Sequence, residues 1–290
     1  MMFRQWPEIC GDVPLSGVQQ GRYLVHGLCE IVQSMRQRVP VAPVSLGVVS
    51  EAIQAKINEG ASPLRVYTHA VSTRVLADNL VMPGPVCDLG CGSGGQSRLF
   101  ETAERSSFYI GVDIARQACW SSQASSADSR RFVQMTAEDL GFASDSLAFT
   151  FSSSALEHVP NIQRTTEELA RAMRPGAYCL HIVPGVWSLF LYLFHGYRRF
   201  SAGSLVDLFQ RAGLQVERVW SLGGIPSFLL HAFWITGIET ILVQRVFHLK
   251  IQLRKGRALR FYSWLLTWAL RLDPFLPFIP AGYAVLIRKV

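Results

Sequence analysis

The run Val86-Cys-Asp-Leu-Gly-Cys-Gly-Ser-Gly-Gly95 sets a carboxylate, Asp88, beside glycines at 90, 92 and 94, directly after a short apolar stretch. Glycines at those positions let the backbone turn sharply and come close to a ligand, and a helix opening at Gly94-Gly95 offers N–H groups to a bound carboxylate. Gly90-x-Gly92-x-x-Gly95 also satisfies the dinucleotide fingerprint, so the turn alone leaves a nicotinamide enzyme open. Asp113 ends the run Tyr109-Ile-Gly-Val-Asp, with Ile114 next; a carboxylate there can take both hydroxyls of a ribose, or cap a helix from Ala115 onward. Thr136-Ala-Glu-Asp-Leu140 follows, where Asp139 either accepts from an adenine amino group or is a solvated turn acid. The next apolar run leaves through Phe151-Ser-Ser-Ser-Ala-Leu-Glu-His-Val-Pro160, which gathers Ser152, Glu157 and His158 at one exit.

Strands and helices must alternate to bring these segments together. Expected strands are Val86–Leu89, Phe108–Val112, Arg131–Met135, Leu147–Ser152, Tyr178–Val183, Leu214–Ser221 and Gly282–Lys289, an alternation that predicts a mostly parallel sheet covered on both faces. Expected helices are Val48–Asn58, Tyr67–Leu80, Gly95–Glu104, Asn161–Met173, and one capped by Phe200-Ser201 that runs to Ala212-Gly213. The fold class is therefore α/β: a doubly wound, Rossmann-like, seven-stranded sheet with a helical N-terminal extension (1–80), a core (81–221), an aromatic and basic insertion (222–280) and a closing strand (281–290). The insertion is far longer than an ordinary connection.

Taken in this order, the four motifs resemble the class I S-adenosylmethionine-dependent methyltransferase superfamily, in its methyltransferase type 11-like group, related to quinone-biosynthesis and small-molecule enzymes. The resemblance spans residues 80–220. It implies that Asp88 and the Gly90/Gly92/Gly94 turn hold the amino-acid end of S-adenosylmethionine, that Asp113 and Ile114 lie at the ribose, that Glu138 and Asp139 flank the adenine, and that Ser152 lies beneath the methionine portion. Methyl transfer needs a base only for a weak nucleophile; for a hydroxyl acceptor His158 is the leading base, against a role in packing or capping. Some quinone-pathway relatives hold a divalent metal at this exit, but Ser154 stands where an additional acid is expected, so no metal is assigned. The Asn/Asp-Pro-Pro-Tyr segment of enzymes that methylate exocyclic base nitrogens is missing. The segment His195-Gly-Tyr197-Arg198-Arg199-Phe200-Ser201 is similar to the substrate-side loop of methyltransferases from surface-polysaccharide and lipid loci, which implies a glycan or lipid-linked acceptor.

Charge is unevenly placed along the 290 residues. Residues 1–181 carry 15 Lys+Arg against 17 Asp+Glu, and 182–290 carry 13 against 4. That asymmetry calls for an anionic partner: a membrane surface, a phosphorylated substrate or nucleic acid. No RNA-binding module is recognisable, which sets an RNA methyltransferase second; a non-catalytic, cofactor-binding partner at a membrane is the reading from another class. Leu242, Val246, Leu249 and Leu253 fall on one helical stripe with Lys250, Arg254 and Arg257 beside it, predicting an amphipathic basic helix that lies on an anionic membrane with Trp264 and Trp268 at the interface. Val219–Ile238 lacks charge over twenty residues and is long enough to cross a bilayer, but Gly223-Gly224, Pro226 and His231 argue against a span. The six cysteines, Cys10 among them, form no CxxC pair and read as reduced thiols of a cytoplasmic protein, and the N-terminus lacks the apolar stretch of a signal peptide.

Overall fold

The computed structural model describes residues 15–36, 39–44, 46, 50–78, 80, 83–101, 106–125, 129–191, 195–249 and 251–290. In chain order the elements are α1 (Gly17–Arg36), β1 (Ala42–Pro43), α2 (Glu51–Asn58), α3 (Pro63–Ala77), β2 (Gly84–Leu89), α4 (Ser97–Glu101), β3 (Ser106–Asp113), α5 (Trp120–Ser125), β4 (Arg130–Gln134), β5 (Leu147–Ser153), α6 (Ile162–Ala172), β6 (Met173–Pro184), α7 (Ala202–Arg211), β7 (Leu214–Leu222), α8 (Ile225–Leu230), α9 (Leu259–Leu272) and β8 (Gly282–Lys289). From α8 the chain continues without a break as a π-wound helix over His231–Val246.

These strands form one sheet in the order β1-β7-β8-β6-β5-β2-β3-β4, with β8 antiparallel between β6 and β7 and every other pair parallel. The sheet has eight strands rather than seven. The addition is the two-residue β1, too short to carry a periodic signal, which pairs Ala42 with Trp220 at the β7 edge. Both faces are buried, and strand alternation divides them. On one face Leu180, Ile182, Ala284 and Leu286 pack with Tyr67, Val71, Tyr262 and Leu266; on the other Cys179, Val183, Val285 and Ile287 pack with Leu169, Leu205 and Phe209.

Helix starts follow their caps. Asn161 accepts from the Arg164 N–H at the head of α6, and Ser201 and Ser204 form a reciprocal capping box at α7. Ser62-Pro63 starts α3 four residues earlier than the expected Tyr67, because proline is preorganised for the first helical position. The expected Gly95–Glu104 helix is reduced to α4, since Gly94 and the residues up to Gln96 are still turning; residues 102–105, like 48–49, Cys10 and Lys250, lie outside the described residues.

The insertion differs most from expectation. Of the charge-free run 219–238, the first four residues finish β7, and the helix starts only at Ile225. No continuous helix joins Leu242 to Arg257: the π-wound segment ends at Val246, His248 takes a left-handed conformation (φ 53°), and a single 3-10 turn, Leu253–Lys255, precedes α9. Buried polar contacts fold the segment back onto the N-terminal helices. Arg254 pairs with buried Glu239 (3.0 Å) and donates to the Gly60 carbonyl, and the Tyr262 hydroxyl donates to the Ala61 carbonyl. Asp273 accepts from the Tyr67 hydroxyl (2.7 Å), the Ser227 N–H (3.0 Å) and the Ser227 hydroxyl. Tyr67→Phe removes one of these donors from a buried carboxylate and is expected to cost about 1–3 kcal/mol in urea unfolding; an unchanged midpoint would show that the Ser227 contacts alone hold the insertion.

Candidate active site

The glycine turn is held from two sides. The Gly90 and Cys91 N–H groups both donate to the Val112 carbonyl at the end of β3, at 2.8 and 3.0 Å. One carboxylate oxygen of Asp113 accepts from the Gly92 N–H (2.8 Å) and the other from the Ala115 N–H (2.9 Å). On the far side the Trp120 indole donates to the Gly92 carbonyl (2.8 Å) and stacks on Phe132. Gly90 has φ +71°, and a Cβ there would stand 2.2 Å from the Ala155 Cβ, so only glycine serves. At Gly92 and Gly95 a Cβ would meet nothing within 4 Å, which leaves the outer surface of the turn open to a ligand.

Asp88 lies under this turn and is buried. It accepts from the Tyr109 hydroxyl at 2.6 Å. Burial pushes its carboxyl up to about 7, against the lowering effect of the tyrosine bond, and the nearby Asp113 charge pushes the same way.

The exit of β5 supplies the second half of the site. The chain leaves the strand through Ser154 in a left-handed conformation (φ 54°) and makes a 3-10 turn over Leu156–His158. That turn is clamped by the loop before α7: the Tyr197 N–H donates to the Glu157 carbonyl (2.7 Å), and a Cβ on Gly196 would come within 3.0 Å of the same oxygen. Glu157 is 2% exposed, and its Oε2 has no hydrogen-bond partner among the described residues; Oε1 lies 3.9 Å from His158 Nε2. Burial pushes the Glu157 carboxyl up to about 7, opposed by its backbone hydrogen bond and by Arg199. The His158 and His195 rings meet edge to face at 4.8 Å.

A cavity of 1880 Å³ opens in front of these groups, walled by Gly94–Arg98, Ser153, Ser154, Glu157, His195, Arg199 and, from the insertion, His231, Ile235, Arg254 and Leu259. Of the expected residues, Gly94 and His195 stand on its wall. Gly90, Gly92, Asp113 and Ile114 gather beside it at the β2 and β3 ends, with Asp88 below. Ser152 is fully buried, and its hydroxyl has no partner among the described residues. Glu138 accepts from the Asn161 N–H (2.7 Å) and so ties the β4 exit to the head of α6, whereas Asp139 is exposed. Tyr197 and Arg198 are not on the cavity wall: Tyr197 packs with Leu15, Tyr23 and Leu189, and Arg198 donates to the Pro160 carbonyl. Their neighbour Arg199 occupies the wall instead, buried over the Tyr23 ring of α1 at 5.4 Å. Sequence reasoning gave no individual role to Arg199, Glu157 or the bracing Trp120. Only Glu157 had a local signal, its place next to His158.

The ordered glycine turn, strand-end acid and β5 exit coincide with a family match. A model described as "Methyltransferase domain" covers residues 87–181. The matched stretch is one third of the chain and runs from Cys87 in β2 to His181 in β6. Solved structures share the fold. A chain of the Haloferax volcanii complex that contains the Trm112 methyltransferase activator is 19% identical (TM-score 0.53), over 83% of this chain and 99% of its own. Geranyl diphosphate C-methyltransferase from Streptomyces coelicolor A3(2), in complex with Mg2+, geranyl diphosphate and S-adenosyl-L-homocysteine, is 15% identical (TM-score 0.53), over 96% and 100%. Phosphoethanolamine N-methyltransferase 2 from Haemonchus contortus, in complex with S-adenosyl-L-methionine, is 15% identical (TM-score 0.51), over 75% and 51%. No curated protein matches the chain at a significant level.

The turn fits S-adenosylmethionine: the Val112 carbonyl and the Asp113 carboxylate accept from its N–H groups and the Trp120 indole donates to it, while Gly92 and Gly95 stay open outward. Raising the Asp88 carboxyl from 3.8 to about 7 means that its stabilising contribution is complete below about pH 4 and is lost as pH rises through 7. Asp88→Asn, which keeps an acceptor for Tyr109, is therefore expected to gain thermal stability over the parent as pH rises from about 4 to 8, by about 10 °C at about 1.4 kcal/mol per pH unit and roughly 2–4 °C per kcal/mol. The Glu157 contribution is common to both proteins and cancels. A melting-temperature difference that stays flat across this range would mean that Asp88 ionises like an exposed acid.

Proposed function

We propose that the enzyme transfers the methyl group of S-adenosylmethionine to an oxygen of a small-molecule, glycan or lipid-linked acceptor bound in the cavity at the β5 exit. The observation that carries this reading is the polar wall there, where the unpartnered Glu157 oxygen and His195 line the cavity and His158 packs against both, edge to face on the His195 ring. S-adenosylmethionine supplies an electrophilic sulfonium methyl. The chain contributes by setting the nucleophile about 3–3.5 Å from that carbon and excluding water.

In this reading the Gly90–Gly94 turn takes the amino-acid end of the cofactor, with Asp88 supporting it from below. Asp113 spends one lone pair of each oxygen on backbone N–H groups and keeps others for ribose hydroxyls, beside Ile114. Glu138 and the exposed Asp139 lie toward the adenine, and the orphaned Ser152 hydroxyl lies under the methionine portion. His158 acts as base for a hydroxyl acceptor, since an imidazole exchanges protons in the neutral range. His195 faces the acceptor, and Tyr197 and Arg198 shape that loop from behind. The enzyme works in the cytoplasm, in peripheral contact with the inner face of an anionic membrane. Exposed aromatic residues interleaved with arginines in its last third favour a lipid surface over RNA as the anionic partner.

S-adenosylhomocysteine is expected to raise the melting temperature of the parent protein, and Asp113→Ala to weaken its binding at least tenfold, about 1.4 kcal/mol. No stabilisation of the parent would sink the donor-site assignment. His158→Ala is expected to keep S-adenosylhomocysteine binding while labelled methyl transfer into lipid and glycolipid extracts falls by about 10²–10⁴. Full transfer by that variant would return His158 to a packing role.

A further inference from the structure

We propose that the surface made by α8, its π-wound continuation and α9 docks the enzyme on an anionic bilayer, and that the acceptor is a lipid or lipid-linked molecule drawn from that bilayer into the cavity. The choice of acceptor rests on the methyl-transfer reading of the cavity; the docking does not.

The two faces of α9 differ sharply. Tyr262, Leu266, Ala269 and Leu270 are buried in the domain, whereas Phe261, Trp264, Trp268 and Leu272, spaced for one helical face, point outward. Trp264 is 55% and Trp268 47% exposed; their rings stand edge to face at 6.4 Å, and Phe261 stacks on Trp264. Phe275 (79%) and Phe278 (66%) carry the row past the helix end. Phe261 also lies 5.7 Å from Trp234, which joins this row to the preceding helix, where Leu229 and Phe233 are exposed. Isolated exposed apolar residues are ordinary, but a joined set of large aromatic side chains marks a surface that is covered in use.

Charge identifies what covers it. From Thr240 to Leu272 the sequence contains seven Lys and Arg and no Asp or Glu. Arg245, Arg257, Arg260 and Arg271 are exposed, and Arg271 lies over the Trp268 ring. Aromatic rings with interleaved arginines and no acid suit an anionic lipid interface, where each basic residue near the surface contributes about 1 kcal/mol.

Ile225–Val246 is the one helix among the described residues that is long and apolar enough to cross a bilayer. Its inner side carries His231, Trp234, Ile235 and the Glu239–Arg254 pair against the domain, so it rests on the membrane surface and does not leave the fold. The same elements reach the cavity: His231 and Ile235 from this helix, Arg254 and Lys255 from the turn after it, and Leu259 from α9 line its wall. One side of the insertion thus faces the bilayer and the other faces the acceptor. A lipid passing between them need never enter bulk water.

Vesicle co-sedimentation decides the docking. The parent protein is expected to sediment with vesicles containing phosphatidylglycerol, and far less with phosphatidylcholine alone. Trp264→Ser/Trp268→Ser/Phe275→Ser should weaken this binding at least tenfold at any salt, and Arg257→Gln/Arg260→Gln/Arg271→Gln should weaken it most at low salt. Retained S-adenosylhomocysteine stabilisation in both variants would show that they fold. Failure of the parent to bind anionic vesicles, or parent-like binding by the aromatic variant, would overturn the docking. So would a dimer in light scattering that the aromatic variant dissociates, because a second copy would then cover the face. Vesicle binding with no S-adenosylhomocysteine effect in the parent would instead leave the docking standing and remove the methyl-transfer reading beneath the acceptor assignment. Labelled methyl recovered in the organic phase of a lipid extract supports a lipid acceptor; label confined to water-soluble products overturns it.

Discussion

The Val112 carbonyl accepts from two consecutive N–H groups of the glycine turn, and the rest of the site hangs on that junction. The β2 and β3 strands run parallel in register, Asp88 opposite Gly111 and Leu89 opposite Val112, so the turn leaving β2 meets the end of β3. Asp113, one residue on, then reaches Gly92 with its side chain. Without this register neither the backbone pair nor the carboxylate would find the turn. The chain also changes direction across the sheet here: from β2 it passes outward through β3 and β4, then returns to β5 on the other side. Ligands of open α/β sheets sit in the crevice such a reversal creates.

Burying Asp88 below the turn is costly for a carboxylate, and among the described residues it receives one hydroxyl, that of Tyr109, and no direct ion pair. Glu157 shows the same economy at the β5 exit, with a burial-raised carboxyl and one oxygen unpartnered. The two acids differ in what lies in front of them. Asp88 faces the underside of the turn, whereas Glu157 faces the cavity beside an arginine and two imidazoles. An unsatisfied buried oxygen costs about 1–3 kcal/mol when nothing fills its place. At Glu157 the cavity offers a place from which a ligand can fill it.

The strands of the core and the cofactor turn could be read from the sequence because each carries its signal locally. Val86–Leu89, Leu147–Ser152 and Gly282–Lys289 are apolar on both sides, as a doubly covered sheet requires, and the glycines punctuate the strand ends. Arg199 could not be read that way: its burial depends on Tyr23, some 176 positions earlier in the chain, and on the clamp between Gly196 and Glu157. The Leu242–Leu253 stripe misled for another reason. It assumes 3.6 residues per turn, but the segment up to Val246 is wound with wider i→i+5 turns, which move each side chain off the predicted face. The buried Glu239–Arg254 pair then requires the chain to double back where the stripe would continue.

That doubling back accounts for the asymmetry of charge along the chain. A single amphipathic helix would divide its residues between core and solvent, and its basic side would need no aromatic company. Two helices folded against α2 and α3 have three surroundings to satisfy: the core, the cavity and the outside. Their core positions hold Tyr262 and Leu266, their cavity positions hold His231 and Arg254, and their outer positions hold tryptophan, phenylalanine and arginine. An outer surface meant only for water would be cheaper to build from lysine and glutamate, with both signs mixed. The segment from 240 to 272 excludes acids altogether and keeps Trp264 and Trp268 outside, which is the arrangement the proposed contact with an anionic bilayer requires.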